Sequence, residues 1–162
     1  MDTLQLSTIY LQHRADIIDL VNNICIGADK RDWELVKKAF DSSVTLDYSS
    51  LSGNPATVCS PQEIINGWKH ALPGYTATQH MVTNHSVTIH EEEAECFSYL
   101  QAIHILPNDS GNNTWTVFGQ YHHHFNKTVK GWKIDRLTFT LVHQEGNPDL
   151  PKLARERSLS QG

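Results

Sequence analysis

The chain has 162 residues, 39% of them hydrophobic and 19% charged, and a formal net charge of −5. That length supports one domain with a core of its own, and that composition excludes a disordered chain. The basic residues are scattered through an acidic sequence, which excludes the clustered positive surface that nucleic acid requires, and no apolar run approaches the length of a membrane span. Cys25, Cys59 and Cys96 are odd in number and far apart. They point to a reducing compartment rather than a disulfide framework. Met1-Asp2-Thr3-Leu4-Gln5 lacks the basic and apolar regions of a signal peptide, so the expected location is cytoplasmic.

In chain order, apolar residues at Leu6, Tyr10, Ile17, Leu20 or Val21, and Ile24 form the stripe of a helix over residues 6 to about 26, with Gly27 as its stop. Asp29 then falls between this helix and the next. Asp32 is placed to cap a short helix over 33–40, in which Trp33, Val36 and Phe40 share a buried face. Val44, Leu46 and Tyr48 alternate with Thr45 and Asp47, the period of a half-exposed strand. Residues 50–55 read as a loop. Ser60-Pro61-Gln62-Glu63 is a capping box with proline at the first helical position. The helix it starts turns Ile64, Ile65, Trp68, Ala71 and Leu72 inward, and Pro73-Gly74 ends it.

From Gly74 onward the period becomes two. Strands are expected at about 77–90, 94–106, 114–127 and 131–143, joined by short turn-like links into an antiparallel meander. The tail from Gly146, with Pro148 and Pro151, reads as a frayed helix or a flap over a neighbour. Three helices followed by a long-stranded meander is an α+β order. A strongly curved antiparallel sheet wrapped around the three N-terminal helices makes a cone-shaped barrel whose mouth can be a pocket. Residues 1–145 form this domain and 146–162 the tail.

Ten histidines are concentrated toward His80–His124. Histidine can give and take a proton near neutral pH, so the cluster invites an acid–base or a metal reading. In His122-His123-His124, strand alternation sends His123 to the face of Tyr121, and His122 and His124 to the other. That division works against a common metal, and no metal site is assigned. Cys96, Ser98, Leu100, Ala102 and His104 fall on one strand face, where a cysteine is most often a small core hydrophobe.

The run Ala28-Asp29-Lys30-Arg31-Asp32-Trp33, then Leu46-Asp47-Tyr48, Thr78-Gln79-His80, His104, Gly119-Gln120-Tyr121 and Gly131-Trp132-Lys133-Ile134 occur in that order. Over roughly residues 10–143 this set resembles the SnoaL-like branch of the nuclear transport factor 2 superfamily, and within it the scytalone dehydratases. The resemblance implies a cone-shaped α+β barrel working without a cofactor. It implies an aspartate that orients one histidine, a second histidine sharing the proton transfers, and a tyrosine that helps polarise a carbonyl. These places fall on Asp29, His104, His80 and Tyr48. The chain departs from that pattern at Ala28, where the dehydratases have a tyrosine, and at Gly119 and Tyr121, where they have serine and asparagine.

On this reading the Asp29–His104 pair is the base, His80 donates or shuttles the second proton, and Tyr48 with Tyr121 steadies an enolate oxygen. Tyr121, Trp68 and Gly119 are the expected substrate-binding positions. The implied reaction is elimination or isomerisation of a small cyclic carbonyl compound, polyketide- or terpenoid-derived. Dehydration and double-bond isomerisation need the same parts, and both stay open. The alternative is a non-catalytic module of the same fold that binds an apolar ligand or pairs with a partner, because a buried strand histidine is often a hydrogen-bonded core residue. A homodimer or homotrimer is expected, with a small-molecule substrate and neither nucleic acid nor membrane as partner.

Overall fold

The structure, a computed structural model, describes residues 3–160. Met1 and Asp2, on which part of the leader reading rests, and the last two residues of the expected tail lie outside it. Helix α1 (Thr3–Lys30) buries Ile17, Val21, Ile24 and Ala28, a stripe at alternating spacings of four and three. Leu6 and Tyr10, expected in that stripe, are exposed. The helix also runs past the expected stop. Gly27 lies inside it, where α1 crosses α2 (Trp33–Ala39), and a Cβ there would stand 2.7 Å from the Val36 side chain. The true terminator is Arg31, at φ 59°. Its N–H donates to the carbonyl of Ala28 at 3.3 Å and that of Asp32 to Gly27 at 2.9 Å, the paired bonds of a Schellman end. Asp29 therefore occupies the last turn of α1 rather than a junction.

Asp32 caps α2 by accepting from the Leu35 N–H at 3.0 Å. Strand β1 (Phe40–Asp47) follows, then the single turn α3 (Ser49–Ser52), which overlaps the expected loop, and β2 (Thr57–Cys59), a strand the sequence reading did not assign. Helix α4 (Pro61–Ala71) begins with the expected capping box: the Glu63 N–H donates to Ser60 Oγ at 3.3 Å and the Ser60 N–H to Glu63 Oε2 at 2.8 Å. A 3-10 turn at Leu72–Gly74 ends it.

The meander consists of β3 (Ala77–His90), β4 (Glu93–Ile105), β5 (Thr114–Thr128) and β6 (Gly131–Gly146), all antiparallel. The whole sheet has the order β2-β1-β6-β5-β4-β3. It is mixed, because β1 pairs with β6 in parallel. An all-antiparallel sheet fails here because β1 returns to the meander through no hairpin: two helical elements and β2 lie between it and β3, so turn geometry does not set its direction. Register shifts in β3 after Thr83, where Asn84 stands at φ 58°, and between β5 and β6 bend the strands and curl the sheet without closing it. The segment after Gly146 is an ordered helix, α5 (Leu150–Ser160), whose Leu150 and Ala154 are fully buried. It packs against the 3-10 turn and α4. All three cysteines are free. Among the described residues no helix is long and apolar enough to cross a membrane.

Candidate active site

Between the concave face of the sheet and helices α1 and α4 lies a cavity of about 220 Å³. Ile24, Cys25 and Ala28 of α1 and Trp68 and Leu72 of the α4 end form one wall, and inward-facing residues of β3–β6 the other. The period of two in the strands puts His80, Ala102, His104, Val117 and Tyr121 on this side. The lining is aromatic and aliphatic apart from two imidazoles, two phenols and the Cys25 thiol, which burial, and then the Asp29 charge, push up to about 12.

Asp29 meets His80, not His104. Its Oδ1 accepts from His80 Nδ1 at 2.7 Å and from Thr78 Oγ1 at 2.9 Å, and its Oδ2 accepts the main-chain N–H of His80 at 2.8 Å. The expected Asp29–His104 pair is corrected by the packing: α1 lies on β3, and its last turn delivers the carboxylate to Thr78 and His80, two apart on one face. His104 is one strand further in, opposite Thr78. An ionised carboxylate only accepts, so Nδ1 of His80 carries a ring proton, and in the neutral imidazole it is Nε2 that holds the free lone pair. Burial raises the carboxyl pKa of Asp29, but the bonds from the His80 ring, the His80 backbone and Thr78, with the His80 charge, outweigh it, and the group ends below its ordinary value.

His104 donates through Nδ1 to the carbonyl of Trp115 at 3.3 Å. It is 6% exposed, and its ring lies 4.8 Å from those of Tyr75 and Trp115 and 5.4 Å, edge to face, from that of His80. Burial first, and then repulsion by a charged His80, bring its pKa down to about 4. His104 is thus neutral at physiological pH, with Nε2 unprotonated.

The hydroxyls of Tyr48 and Tyr121 are 3.3 Å apart. Tyr48 stands just past the end of β1 and stacks on Phe139 with ring centres 5.6 Å apart. Burial pushes both phenols well above their ordinary pKa, so both keep their protons. One hydroxyl donates to the other, and the second hydrogen remains for another acceptor.

Of the expected binding positions, Tyr121 and Trp68 line the cavity and Gly119 does not. A Cβ at Gly119 would fall 2.3 Å from the Phe139 ring, which takes that space. The Gly119 backbone borders instead a second groove, beside Tyr99 and Phe118. The three consecutive histidines divide as alternation requires. His123 is buried in the core, with its pKa carried down to about 3 by burial first and then by His122 and His85. His122 is exposed, and His124 bonds Asp135 at 2.6 Å. Among the described residues no three His, Cys, Asp or Glu side chains converge as metal ligands.

Sequence reasoning named Thr78 only within the Thr78-Gln79-His80 run, with no role, and did not single out Trp115. Thr78 had a signal, its spacing of two from His80. Trp115 acts on His104 through a main-chain carbonyl, which leaves no mark on the residue type.

A family model described as a SnoaL-like domain matches residues 10–138. Similar solved structures include the Kfla4162 protein of Kribbella flavida, 27% identical over 90% of this chain and 99% of that one, with a TM-score of 0.82. A candidate scytalone dehydratase of Novosphingobium aromaticivorans is 19% identical, covering 88% and 91%, with a TM-score of 0.71. A type 2 hexachlorocyclohexane dehydrochlorinase is 17% identical, covering 85% and 90%, with a TM-score of 0.73. None of the curated proteins matches the sequence. The fold is therefore the α+β cone of the nuclear transport factor 2 superfamily, and lyase-type enzymes are among its neighbours.

Proposed function

The chain belongs to the SnoaL-like domain family, and from that membership we propose that the protein is a cofactor-independent lyase of the dehydratase type, or an isomerase, acting by general acid–base catalysis. The observation that carries this reading is the Asp29–His80 pair at the wall of an apolar cavity, with the ring nitrogen not used by Asp29 available to a ligand. His80 Nε2 takes the proton beside a substrate carbonyl, and Asp29 stabilises the imidazolium that results. The Tyr48–Tyr121 pair offers its unused O–H to the enolate oxygen, where a buried donor acts most strongly. His80 then returns the proton. Given to a departing hydroxide, it completes loss of water; given to a second carbon, it completes a double-bond shift. His104, neutral and one strand away, accepts a hydrogen bond from a substrate hydroxyl and orients it. His80 thus takes the base role expected of His104 and keeps the delivery of the second proton, and His104 becomes an orienting acceptor.

No lysine, arginine or carboxylate is among the lining residues. The substrate is accordingly a small, uncharged, cyclic carbonyl compound of polyketide or terpenoid type, held by Trp68, Tyr121 and the aliphatic wall. Met81, Tyr99 and Val142, exposed on the outer face of the sheet, suit a homodimer or homotrimer in the cytoplasm.

The test is exchange of the α-proton of cyclic hydroxy-ketones and enones in deuterated buffer, followed by NMR. Exchange or turnover should appear with the wild type and drop about 10²–10⁴-fold in His80→Ala, the range for a general base. Ligand binding without exchange, unaltered in His80→Ala, would replace the enzyme with a binding module.

A further inference from the structure

Arg31 occupies a backbone conformation that glycine or asparagine fills best, φ 59° at the end of α1, and its side chain explains why arginine is there. The guanidinium turns back over the helix end. Nη1 bonds the carbonyl of Ala28 and donates to Thr78 Oγ1 at 3.0 Å, and Nη2 donates to the carbonyl of Leu72 at 2.7 Å. Every one of these acceptors is uncharged. Thr78 has a single hydroxyl hydrogen, and with Arg31 donating to its oxygen that hydrogen is committed to Asp29 Oδ1, at 2.9 Å. The chain of donors runs Arg31 to Thr78 to Asp29, and His80 completes it from the other side.

We propose that Arg31 is a positioning residue for the Asp29–His80 pair, acting through Thr78 to hold the carboxylate in the rotamer that fixes the His80 ring. Its bond to Leu72 ties the same relay to the wall of the cavity, since Leu72 lines the site and follows directly on α4. Arg31 thus sets the distance between the acid–base pair and the apolar surface that holds the substrate. Lysine cannot do this, because a single ammonium does not reach three acceptors on α1, β3 and the 3-10 turn with a planar fork. The role rests on the reading of Asp29 and His80 as the catalytic pair, but its central test does not need the reaction.

The experiment uses Arg31→Gly, Thr78→Val and Thr78→Ser in the full chain, with nitrogen-15 spectra of the His80 ring in free protein. Arg31→Gly suits the left-handed backbone and keeps the helix end, so its melting temperature should stay near that of the wild type. The wild type should show one tautomer with the proton on Nδ1. Arg31→Gly and Thr78→Val should both give an averaged tautomer signal, and Thr78→Ser should restore the wild-type signal. With a substrate in hand, kcat should fall about 10–100-fold in the first two variants, the range for hydrogen-bonded groups that orient a metal-binding histidine, with KM changed less than about twofold. Retention of the wild-type ring signal in Arg31→Gly or in Thr78→Val overturns the proposal and reduces Arg31 to a helix end. That result would leave the acid–base reading of the pair standing. A normal ring response with no α-proton exchange in any variant would do the reverse.

Discussion

Asp29 receives three hydrogen bonds and His80 supplies two of them. Replacing the carboxylate by an amide keeps the size but substitutes a donor for one acceptor, so the ring loses its fixed tautomer. Asp29→Asn should lower kcat about 10²–10⁴-fold while circular dichroism stays unchanged, because the loss is in proton transfer. The two buried neutral histidines make a separate prediction about pH. His104 and His123 have folded pKa values brought down to about 4 and about 3. In the unfolded chain they titrate near 6.5. Between those values the unfolded state binds protons that the folded state refuses. Stability is therefore complete above about pH 6.5 and falls as pH drops toward 4, by about 3 kcal/mol for His104 alone. Asp29 has the same sign in a lower window, since its depressed folded pKa stabilises the protein above about pH 4 and that contribution is lost below. Urea titrations from pH 7 to pH 4 should show the first loss, and His104→Gln should flatten part of it.

At the level of elements, the crossing of α1 and α2 decides where the carboxylate is delivered. Gly27 permits that crossing: a methyl group there would meet Val36 at 2.7 Å and the Asp32 carbonyl at 3.0 Å. Gly27→Ala should destabilise the protein by about 1–3 kcal/mol by overpacking. Because the shift falls two residues before Asp29, it should also reduce activity more than an equally destabilising change elsewhere, such as Ser60→Ala at the α4 cap, expected at about 1 kcal/mol. Chemical denaturation and kcat measured on both variants separate the two effects. The contrast also shows what local chemistry can reveal. The cap of α4 is written in four consecutive residues, and its bonds are those the pattern requires. The end of α1 misleads because glycine serves close packing as well as helix termination, and only the neighbouring helix distinguishes the uses.

For the whole molecule, the C-terminal helix belongs to the cavity's support. Gly74 approaches α5 so closely that a Cβ would stand 1.7 Å from the carbonyl oxygen of Ala154, and the Leu72–Gly74 turn on which α5 packs carries a cavity-lining residue. Truncation after Gly146 exposes the site of Leu150, whose burial alone is worth roughly 1.5–3 kcal/mol. The shortened chain should melt at a lower temperature and bind cavity ligands more weakly. The outer sheet face makes the complementary prediction: light scattering should report a dimer or trimer, and Tyr99→Lys with Val142→Lys should yield monomers that retain the fold.

By itself the sequence determined the elements whose causes are local: the amphipathic helices, the capped start of α4, the period-two strands joined by short turns, and hence the α+β cone. Asp29, Tyr48, His80 and His104 were named as one group through the family resemblance rather than through periodicity, and the structure brings Tyr48, Trp68, His80, His104 and Tyr121 to one cavity with Asp29 bonded to His80. Which histidine meets the carboxylate was decided by tertiary structure, since that depends on the strand over which α1 lies and on a helix end set by Arg31. The same holds for the parallel pairing of β1 with β6, for the Phe139 ring in the space beside Gly119, and for the carbonyl of Trp115 that orients His104. Each arises between segments distant in the chain, where spacing along the sequence carries no record of distance in space.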